Sequence, residues 1–451
     1  MRDTTGAGLA ERILKFLDDL GLDVMLMRGQ GYDGASNMSG HIRGVAARIQ
    51  STNPLALYTH CCSHVLNLVI VKSCSLSEIR NMFGTVQKTA VFFSESAKRM
   101  NYLEEAISEV HDGSERVRLK KHCSTRWVEQ ADALCVFVQL YNAVVVALDR
   151  IQKECDGHTA SSANVLCSAI CQFGFLVALV TAEFILNYTK PLSVLLQKSG
   201  LDLCAASAEV LIVQETLSEV RREVDSKFST VYNSAINLGK HAAVDPSLPR
   251  VCERQIHRAN PSKMSNLTPE FYYRTSVFIP FLDSMMQELQ TRFSTLHQDI
   301  AVASKLVPSV LLKRGRCSET ELATLMQSFP DMPSMRCFAS EYDRWYAKWQ
   351  LDPTAGGKVY GFTDAMSSAH PDLFPNIRTV LHVSATRPSC TATNERCFSA
   401  LKRLKTYLRS TMLQDRLTGL AMLHIHHDIP VPVDVIIDQF ANLGPHRLAY
   451  L

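Results

Sequence analysis

A long stretch of the chain, residues 128–350, spaces its apolar residues mostly three and four positions apart, as in ALCVFVQLYNAVVVALDRI. That spacing places apolar side chains along one side of an α-helix. The alternation that is typical of strands is hard to find in this stretch. Together with a content of 46% hydrophobic residues in 451, the pattern predicts a large buried core built from packed helices.

The chain before this stretch has a different pattern, in which helices and strands alternate. Residues 7–20 predict a helix that ends with Gly21 as its C-cap, because their apolar residues have helical spacing. The run DVMLM, whose apolar part is residues 24–27, and the run LALYTHC, residues 55–61, predict two short buried strands. An apolar helix follows each strand, so the sequence predicts an α/β arrangement with a parallel sheet.

After about residue 376 the chain returns to a strand-like run, TVLHVSAT, and two helices follow it. These changes of pattern predict three regions. They are an α/β region over residues 1–125, a helical region over residues 126–355 and a C-terminal region over residues 356–451. The predicted fold class is therefore α/β plus all-α.

Net charge, cysteine spacing and hydropathy exclude several classes of protein. The net charge of +3 is nearly neutral, so a surface that binds nucleic acid has to be local. The fourteen cysteines include no CxxC pair, which favours reduced thiols in a nuclear or cytosolic protein. The apolar residues 169–186 include Gln172 and Glu183 and predict a buried helix rather than a membrane span. We expect no membrane and no small-molecule substrate.

Four short motifs contain residues that can support chemistry. YDGASN has Asp33 on a glycine-rich turn, HCCSH has Cys61 and His64 between a strand and a helix, and STRW ends at Trp127. TNERCFSALKRLKTYLRSTM begins a helix with Glu395. Each motif alone also has a plain structural interpretation, which is an Asp-Gly turn, a packed Cys-His pair, a core tryptophan or a carboxylate favoured at a helix N-terminus.

In this order, the motifs resemble the hAT superfamily of DNA transposases and the host proteins derived from them. The resemblance rests on GQGYDGASNMSG, the CxxH pair, the RW pair and ERCFSALKRLKTYLRSTMLQDRLTGLAMLHIH, and it extends over nearly the whole chain. It is strongest to the zinc-finger MYM-type and protein-kinase-inhibitor-repressor-like members. The resemblance implies an incomplete RNase H-like domain that is interrupted by a large helical insertion.

In this family the RNase H-like fold cuts DNA with two divalent metal ions, held by two aspartates and a glutamate. The resemblance places Asp33 at the second aspartate and Glu395 at the glutamate, so these two would be the catalytic and metal-binding residues. The cofactor would be Mg²⁺ or Mn²⁺ if the protein is active, and none otherwise. Gly31 and Gly34 would let the backbone and a phosphate approach closely.

The resemblance also implies roles for the other motifs. Two ligands do not complete a structural zinc site, so we interpret Cys61 and His64 as a packed, hydrogen-bonded pair. The residues that would contact DNA are Arg126, Trp127, Lys402, Arg403, Lys405 and Arg409. The residues that would form a homodimer are Phe398, Leu404, Leu408, Leu417 and Leu420. The alternatives are a solvated charged face for the basic residues and intramolecular packing for the apolar ones.

The chain departs from the family pattern at its start. The family's first catalytic aspartate lies on a strand that would precede MRDTTGAGLAERIL, and Asp3 is not expected to replace it. Residues 24–27 would then form an exposed edge strand. We therefore interpret the chain as an N-terminally truncated, inactive nuclear protein that dimerises and contacts nucleic acid. The alternatives are an active metal-dependent transposase or nuclease, and a helical scaffold without a nucleic-acid role.

Overall fold

The structure is a computed structural model in which the chain forms two compact units, Met1–Cys390 and Thr391–Leu451. Side chains are not described for residues 127–130, 298 and 299. The residues that the structure describes are 3–110, 119, 127–198, 200–249, 268–293, 298–406 and 411–442.

The first part of unit 1 mixes helices with two short strands. Its elements, in chain order, are α1 (Gly6–Asp19), β1 (Gly29–Tyr32), α2 (Ser36–Ser39), α3 (Val45–Thr52), β2 (Leu57–His60), α4 (Cys62–Ser73), α5 (Ser77–Ser94) and α6 (Ala97–Val110). The strands pair in parallel, with Gly29 opposite Leu57 and Tyr32 opposite His60. The predicted parallel sheet and the strand within residues 55–61 are therefore confirmed.

Helix α1 has the two ends that its sequence predicts. At the start, the hydroxyl of Thr5 accepts a hydrogen bond from the Gly8 N–H at 3.3 Å. At the end, Gly21 has a φ of +69°, its N–H bonds to the Asp18 carbonyl, and the Leu22 N–H bonds to the Leu17 carbonyl. This pair of bonds is the Schellman arrangement, in which glycine occupies the left-handed position without a steric penalty. The helix over residues 7–20 and its C-cap at Gly21 are confirmed.

The strand that we predict at residues 24–27 is wrong. Val24–Leu26 forms a 3₁₀ turn, because the carboxylate of Asp23 accepts the Met25 N–H at 2.8 Å. The side-chain amide of Asn53 then donates to the carbonyls of Val24, Met25 and Met27. Because Asp23 and the distant Asn53 satisfy these backbone groups, the strand forms further along the chain, at β1.

The remainder of unit 1 is helical in its described residues. The next helices are α7 (Trp127–Glu154), α8 (Gly157–Ile170), α9 (Phe173–Leu195), α10 (Leu203–Arg222), α11 (Val224–Lys240), α12 (Pro269–Tyr273) and α13 (Ile279–Phe293), with a π-helical turn at Arg274–Phe278. They are followed by α14 (Gln298–Ala303), α15 (Pro308–Arg314), α16 (Glu319–Ser328), α17 (Phe338–Leu351), α18 (Pro353–Gly356), α19 (Phe362–Ser368) and α20 (Pro375–Thr386). The helical stretch predicted over residues 128–350 is confirmed, because its described residues form helices joined by turns and loops and include no strand.

Aromatic side chains join these helices in one core. The ring of Phe173 on α9 lies 5.5 Å from that of Tyr232 on α11 and 5.6 Å from that of Tyr273 on α12. Phe228 and Phe278 meet edge to face at 5.3 Å, a favourable arrangement for aromatic pairs. Burial of such rings supplies much of the hydrophobic stabilisation of a helical core.

Among the residues that the structure describes, two helical segments, Ala131–Glu154 and Phe173–Leu195, are long and apolar enough to cross a membrane. In each, more than half of the most apolar window is buried within the protein, as in the core helices of globular proteins. The run of residues 169–186 is divided between α8 and α9 by a turn at Cys171 and Gln172. The expected buried helix is therefore α9.

The strand predicted for the run TVLHVSAT is also wrong, because these residues lie within α20. The carboxylate of Glu341, on α17, is buried and accepts the Ile377 N–H at 2.8 Å and the Asn376 side-chain amide at 2.6 Å. Pro375 begins the helix, where its missing N–H costs nothing. A carboxylate at a helix N-terminus satisfies free N–H groups and interacts favourably with the helix dipole.

Unit 2 contains three described helices, which are α21 (Ala392–Leu404), α22 (Gln414–Ile425) and α23 (Val433–Asn442). The two helices predicted after residue 376 correspond to α21 and α22. The three-region division at residues 125 and 355 stays a prediction.

Candidate functional site

Asp33 lies immediately after β1, at the carboxyl end of the sheet. Its side chain is exposed, and its Oδ1 accepts the Ala35 N–H at 3.2 Å, which forms an Asx turn. The hydroxyl of Tyr58 donates to the backbone carbonyl of Asp33 at 3.3 Å. The carboxylate therefore stands on a defined turn, in the place where ligands bind in open α/β sheets.

Two histidines lie under this turn. The rings of His60 and His64 are stacked with their centroids 5.4 Å apart. A Cβ atom on Gly34 would lie 3.1 Å from the Cε1 atom of His60, so the absence of a side chain lets the turn lie over the imidazole. Burial, and then the neighbouring His64, lower the pKa of His60. His60 is therefore uncharged at neutral pH, and its Nε2 is buried without a hydrogen-bond partner among the described residues.

Cys61 and His64 have different principal neighbours. Cys61 is 1% exposed, and its Sγ lies 3.8 Å from the Sγ of Cys390. The His64 ring stacks on His60. The hydrogen-bonded pairing of Cys61 with His64 stays a prediction.

The segment of residues 387–390 completes this end of the sheet, which the sequence did not predict. A Cβ on Gly31 would lie 2.7 Å from Cγ of Pro388, and one on Gly29 would lie 3.2 Å from the same ring. The Cys62 N–H also donates to the Ser389 carbonyl at 2.9 Å. Gly29 and Gly31 share one face because alternate residues of a strand point to the same side. The group that approaches Gly31 closely is therefore a proline of the same chain.

The opposite face of β1 is fixed by Gln30. Its buried side-chain amide donates to the carbonyls of Ala46 at 3.0 Å and Ala56 at 2.9 Å. These bonds tie the strand to α3 and to the segment before β2. A slip of one residue would exchange the faces of Gln30 and the glycines, so both sets of contacts fix the register.

Glu395 lies in the first turn of α21, in unit 2, and its side chain is exposed. Asp33 belongs to unit 1. Within the residues that the structure describes, no group of three or more His, Cys, Asp or Glu side chains could hold a metal ion. The charge of Asp33 acts on Tyr58 and His60. The described residues around Asp33 do not fit a pair of hard divalent cations, which need several convergent oxygen ligands.

The other predicted site residues lie in three settings. Arg126, Leu408 and Arg409 lie outside the described residues, as does the side chain of Trp127 at the start of α7. Lys402, Arg403 and Lys405 are exposed at the end of α21. Leu404, Leu417 and Leu420 are half-buried, while Phe398 is 68% exposed. Of the described residues predicted to form the homodimer, the three leucines thus pack partly inside unit 2, whereas Phe398 lies on its surface.

Unit 2 carries further exposed apolar side chains besides those predicted to form the homodimer. They are Leu413, Met422, Leu423, Ile429, Val431, Val433, Val435, Ile436, Ile437 and Phe440. The run DIPVPVDVIIDQF, which contains α23, is a visible signal in the sequence. Large apolar surfaces on a small unit are typical of protein interaction sites.

Two parts of the chain match known family models. Residues 1–44 match the model described as the ZMYM1/FAM200 RNase-like domain. Residues 367–429 match the hAT family C-terminal dimerisation region. The second match includes Glu395, Phe398 and the basic end of α21.

The chain is also similar to two mammalian proteins named "52 kDa repressor of the inhibitor of the protein kinase". It is 30% identical to the human protein over 433 residues, which are 94% of this chain and 56% of that protein. It is 30% identical to the mouse protein over 439 residues, which are 95% of this chain and 57% of that protein. The chain thus spans little more than half the length of these relatives. The matches confirm the resemblance drawn from the four motifs.

We predict that Gly31→Ala lowers the free energy of unfolding by about 2 kcal/mol, because the added methyl group overlaps Pro388. Gly84→Ala is the matched control, since a Cβ there meets no atom within 4 Å and α5 should gain about 0.5–1 kcal/mol. Urea denaturation followed by circular dichroism measures both. Equal stability of the two variants would contradict the packing role of Gly31.

Proposed function

Because this chain belongs to the hAT-transposase-derived proteins, we propose that it acts by self-association through unit 2 and does not cleave DNA. The observation that carries this proposal is the exposed apolar surface of unit 2, within and just beyond the match to the hAT dimerisation region. Phe398 and Leu423 are 68% and 56% exposed on two different helices of that unit. A second copy of the chain would bury this surface, and a twofold axis would let the same patch serve both copies.

We propose that the fold is an RNase H-like domain interrupted by a helical insertion. The match of residues 1–44 to an RNase-like domain supports the first part. The long helical stretch between β2 and α21 supports the second, because residues 387–390 return from it to pack against β1 and the start of α4. Such a return is what an insertion between two parts of one fold requires.

The surroundings of Asp33 support the proposed loss of strand cleavage. Its carboxylate accepts a backbone N–H, and its charge acts on a phenol, that of Tyr58, and an imidazole, that of His60. Two-metal cleavage needs oxygen ligands that converge on both ions. The residues described around Asp33 do not supply such a set.

Contact with nucleic acid would involve the basic end of α21. Lys402, Arg403 and Lys405 are exposed there and can pair with phosphates without distorting the helix. We further propose that the protein is nuclear, which the RNase-like match and the relatives' description as repressors support. Their name describes repression of a protein-kinase inhibitor, and a self-associating protein without cleavage activity is suited to a regulatory role of that kind.

The second candidate function is a divalent-metal-dependent nuclease. One observation favours it, which is the position of Asp33 on an exposed turn at the carboxyl end of β1. Mg²⁺ or Mn²⁺ would then be the cofactor.

We predict a dimer at micromolar concentration in size-exclusion chromatography with light scattering. Phe398→Ser combined with Leu423→Ser should give a folded monomer with an unchanged circular dichroism spectrum, because both side chains are already exposed. Leu351→Ser is the control, since Leu351 is 87% exposed on unit 1. A monomeric parent chain, or a dimer that survives the double substitution, would contradict the proposal.

We predict that the purified protein does not nick supercoiled plasmid in Mn²⁺, and that Asp33→Asn behaves like the parent chain. Agarose gel electrophoresis measures the conversion to open circles. The second candidate function makes the opposite prediction, which is nicking by the parent chain that disappears in Asp33→Asn.

We predict salt-dependent binding to duplex DNA that weakens when Lys402 and Arg403 are both changed to Glu. Each lost phosphate contact should reduce the magnitude of the slope of log K, where K is the binding constant, against the logarithm of the salt concentration by about 0.9. The matched control changes Lys313 and Arg314 to Glu, which places the same charges in the last turn of α15. Fluorescence anisotropy over a salt series measures both variants. Equal slopes for the two would refute a specific role of α21.

A further inference from the structure

Two cysteines meet at the end of α8, far along the chain from the sheet. Cys167 lies in the last turn of the helix and Cys171 is its C-cap residue. Their Sγ atoms are 3.9 Å apart, within hydrogen-bond distance for sulfur. Both thiols are free, and both side chains are partly exposed, so a small solute can reach them.

The surroundings of Cys167 favour its thiolate. The hydrogen bond from the Cys171 thiol lowers the pKa of Cys167 to about 7, and the side-chain amide of Gln152 acts in the same direction. Burial and the carboxylate of Asp149 oppose this shift and are outweighed. By contrast, burial raises the pKa of Cys62 to about 12. Cys167 therefore carries much more thiolate at neutral pH than Cys62 does.

The backbone around the pair allows the two sulfur atoms to approach. Residues four apart on a helix have Cβ atoms about 5–6 Å apart, whereas a disulfide needs about 3.5–4.5 Å. Cys171 stands outside the regular helix, in the short turn before α9 begins at Phe173. The Tyr141 hydroxyl holds the preceding carbonyl, that of Ile170, at 3.1 Å. Formation of a disulfide therefore requires a movement of Cys171 and of the turn, while Ile170 stays in place.

We propose that Cys167 and Cys171 form a dithiol that reacts with hydroperoxides and closes to an intramolecular disulfide. The Cys167 thiolate attacks one peroxide oxygen, the O–O bond breaks, and the products are a Cys167 sulfenic acid and hydroxide, which takes up a proton to give water. The Cys171 thiol then attacks the sulfenic sulfur, an S–S bond forms and a second water leaves. In sum, two thiols are oxidised by two electrons and one hydrogen peroxide is reduced to two waters.

A second pair of sulfur atoms in the structure provides an internal comparison. Cys61 and Cys390 are separated by a similar distance, 3.8 Å. Cys61 is only 1% exposed and Cys390 is partly exposed, so a solute peroxide can reach one thiol of this pair, whereas both Cys167 and Cys171 are partly exposed. Proximity is thus shared by both pairs, and the access to both thiols distinguishes Cys167 and Cys171.

The test treats the reduced full-length protein with hydrogen peroxide, alkylates the remaining thiols with N-ethylmaleimide and locates the oxidised residues by mass spectrometry. Cleavage before Asp156 and Asp202 isolates a peptide whose only cysteines are Cys167 and Cys171. We expect this peptide to lose the mass of two hydrogen atoms and to become protected from alkylation, before Cys61 and Cys390 do. Dithiothreitol should restore both alkylation sites.

Two single variants separate the steps. Cys171→Ser should stop at the sulfenic acid, which dimedone traps on Cys167, and Cys167→Ser should leave Cys171 unreacted at the same peroxide concentration. The proposal is overturned if both residues are still alkylated after peroxide treatment of the parent chain. It is also overturned if the Cys61 and Cys390 pair oxidises first.

Discussion

Pro388 packs against the two glycines of β1, and this contact joins parts of unit 1 that lie more than 300 residues apart in sequence. The Cys62 N–H adds a hydrogen bond to Ser389, and Cys61 lies beside Cys390. On the far face of the strand, Gln30 binds the carbonyls of Ala46 and Ala56. A two-stranded sheet is marginally stable alone, so these contacts hold β1 and β2 in place.

The same contacts change the meaning of the glycine-rich motif. Position 31 requires glycine because a proline ring occupies the space where a side chain would lie. Position 34 requires glycine because the Asp33 turn lies over His60. Both requirements are structural, and neither depends on DNA cleavage. A family motif can therefore be retained by packing alone, while the surface of unit 2 provides the interaction that we assign to the protein.

Local features predicted much of the fold. The cap at Gly21, the strand at residues 57–60, the helical stretch and the helix that carries Glu395 all follow from spacing and from residues at helix ends. The errors have non-local causes. Residues 24–27 turn because Asn53 binds their carbonyls, and TVLHVSAT is helical because the distant Glu341 satisfies the N-terminus of α20. At the site, the turn with Asp33 was predictable, whereas its cover by residues 387–390 depends on the long return of the chain.

Hydrogen exchange of the strands tests the dependence of the sheet on residues 387–390 most directly. The comparison is between the parent chain and a variant in which Arg387, Pro388 and Ser389 are all replaced by Gly, measured by mass spectrometry. We predict faster exchange in residues 29–32 and 57–62 of the variant, with α7, α9 and α11 still protected. Unchanged protection of both strands would contradict the account, because the sheet would then be stable without its cover.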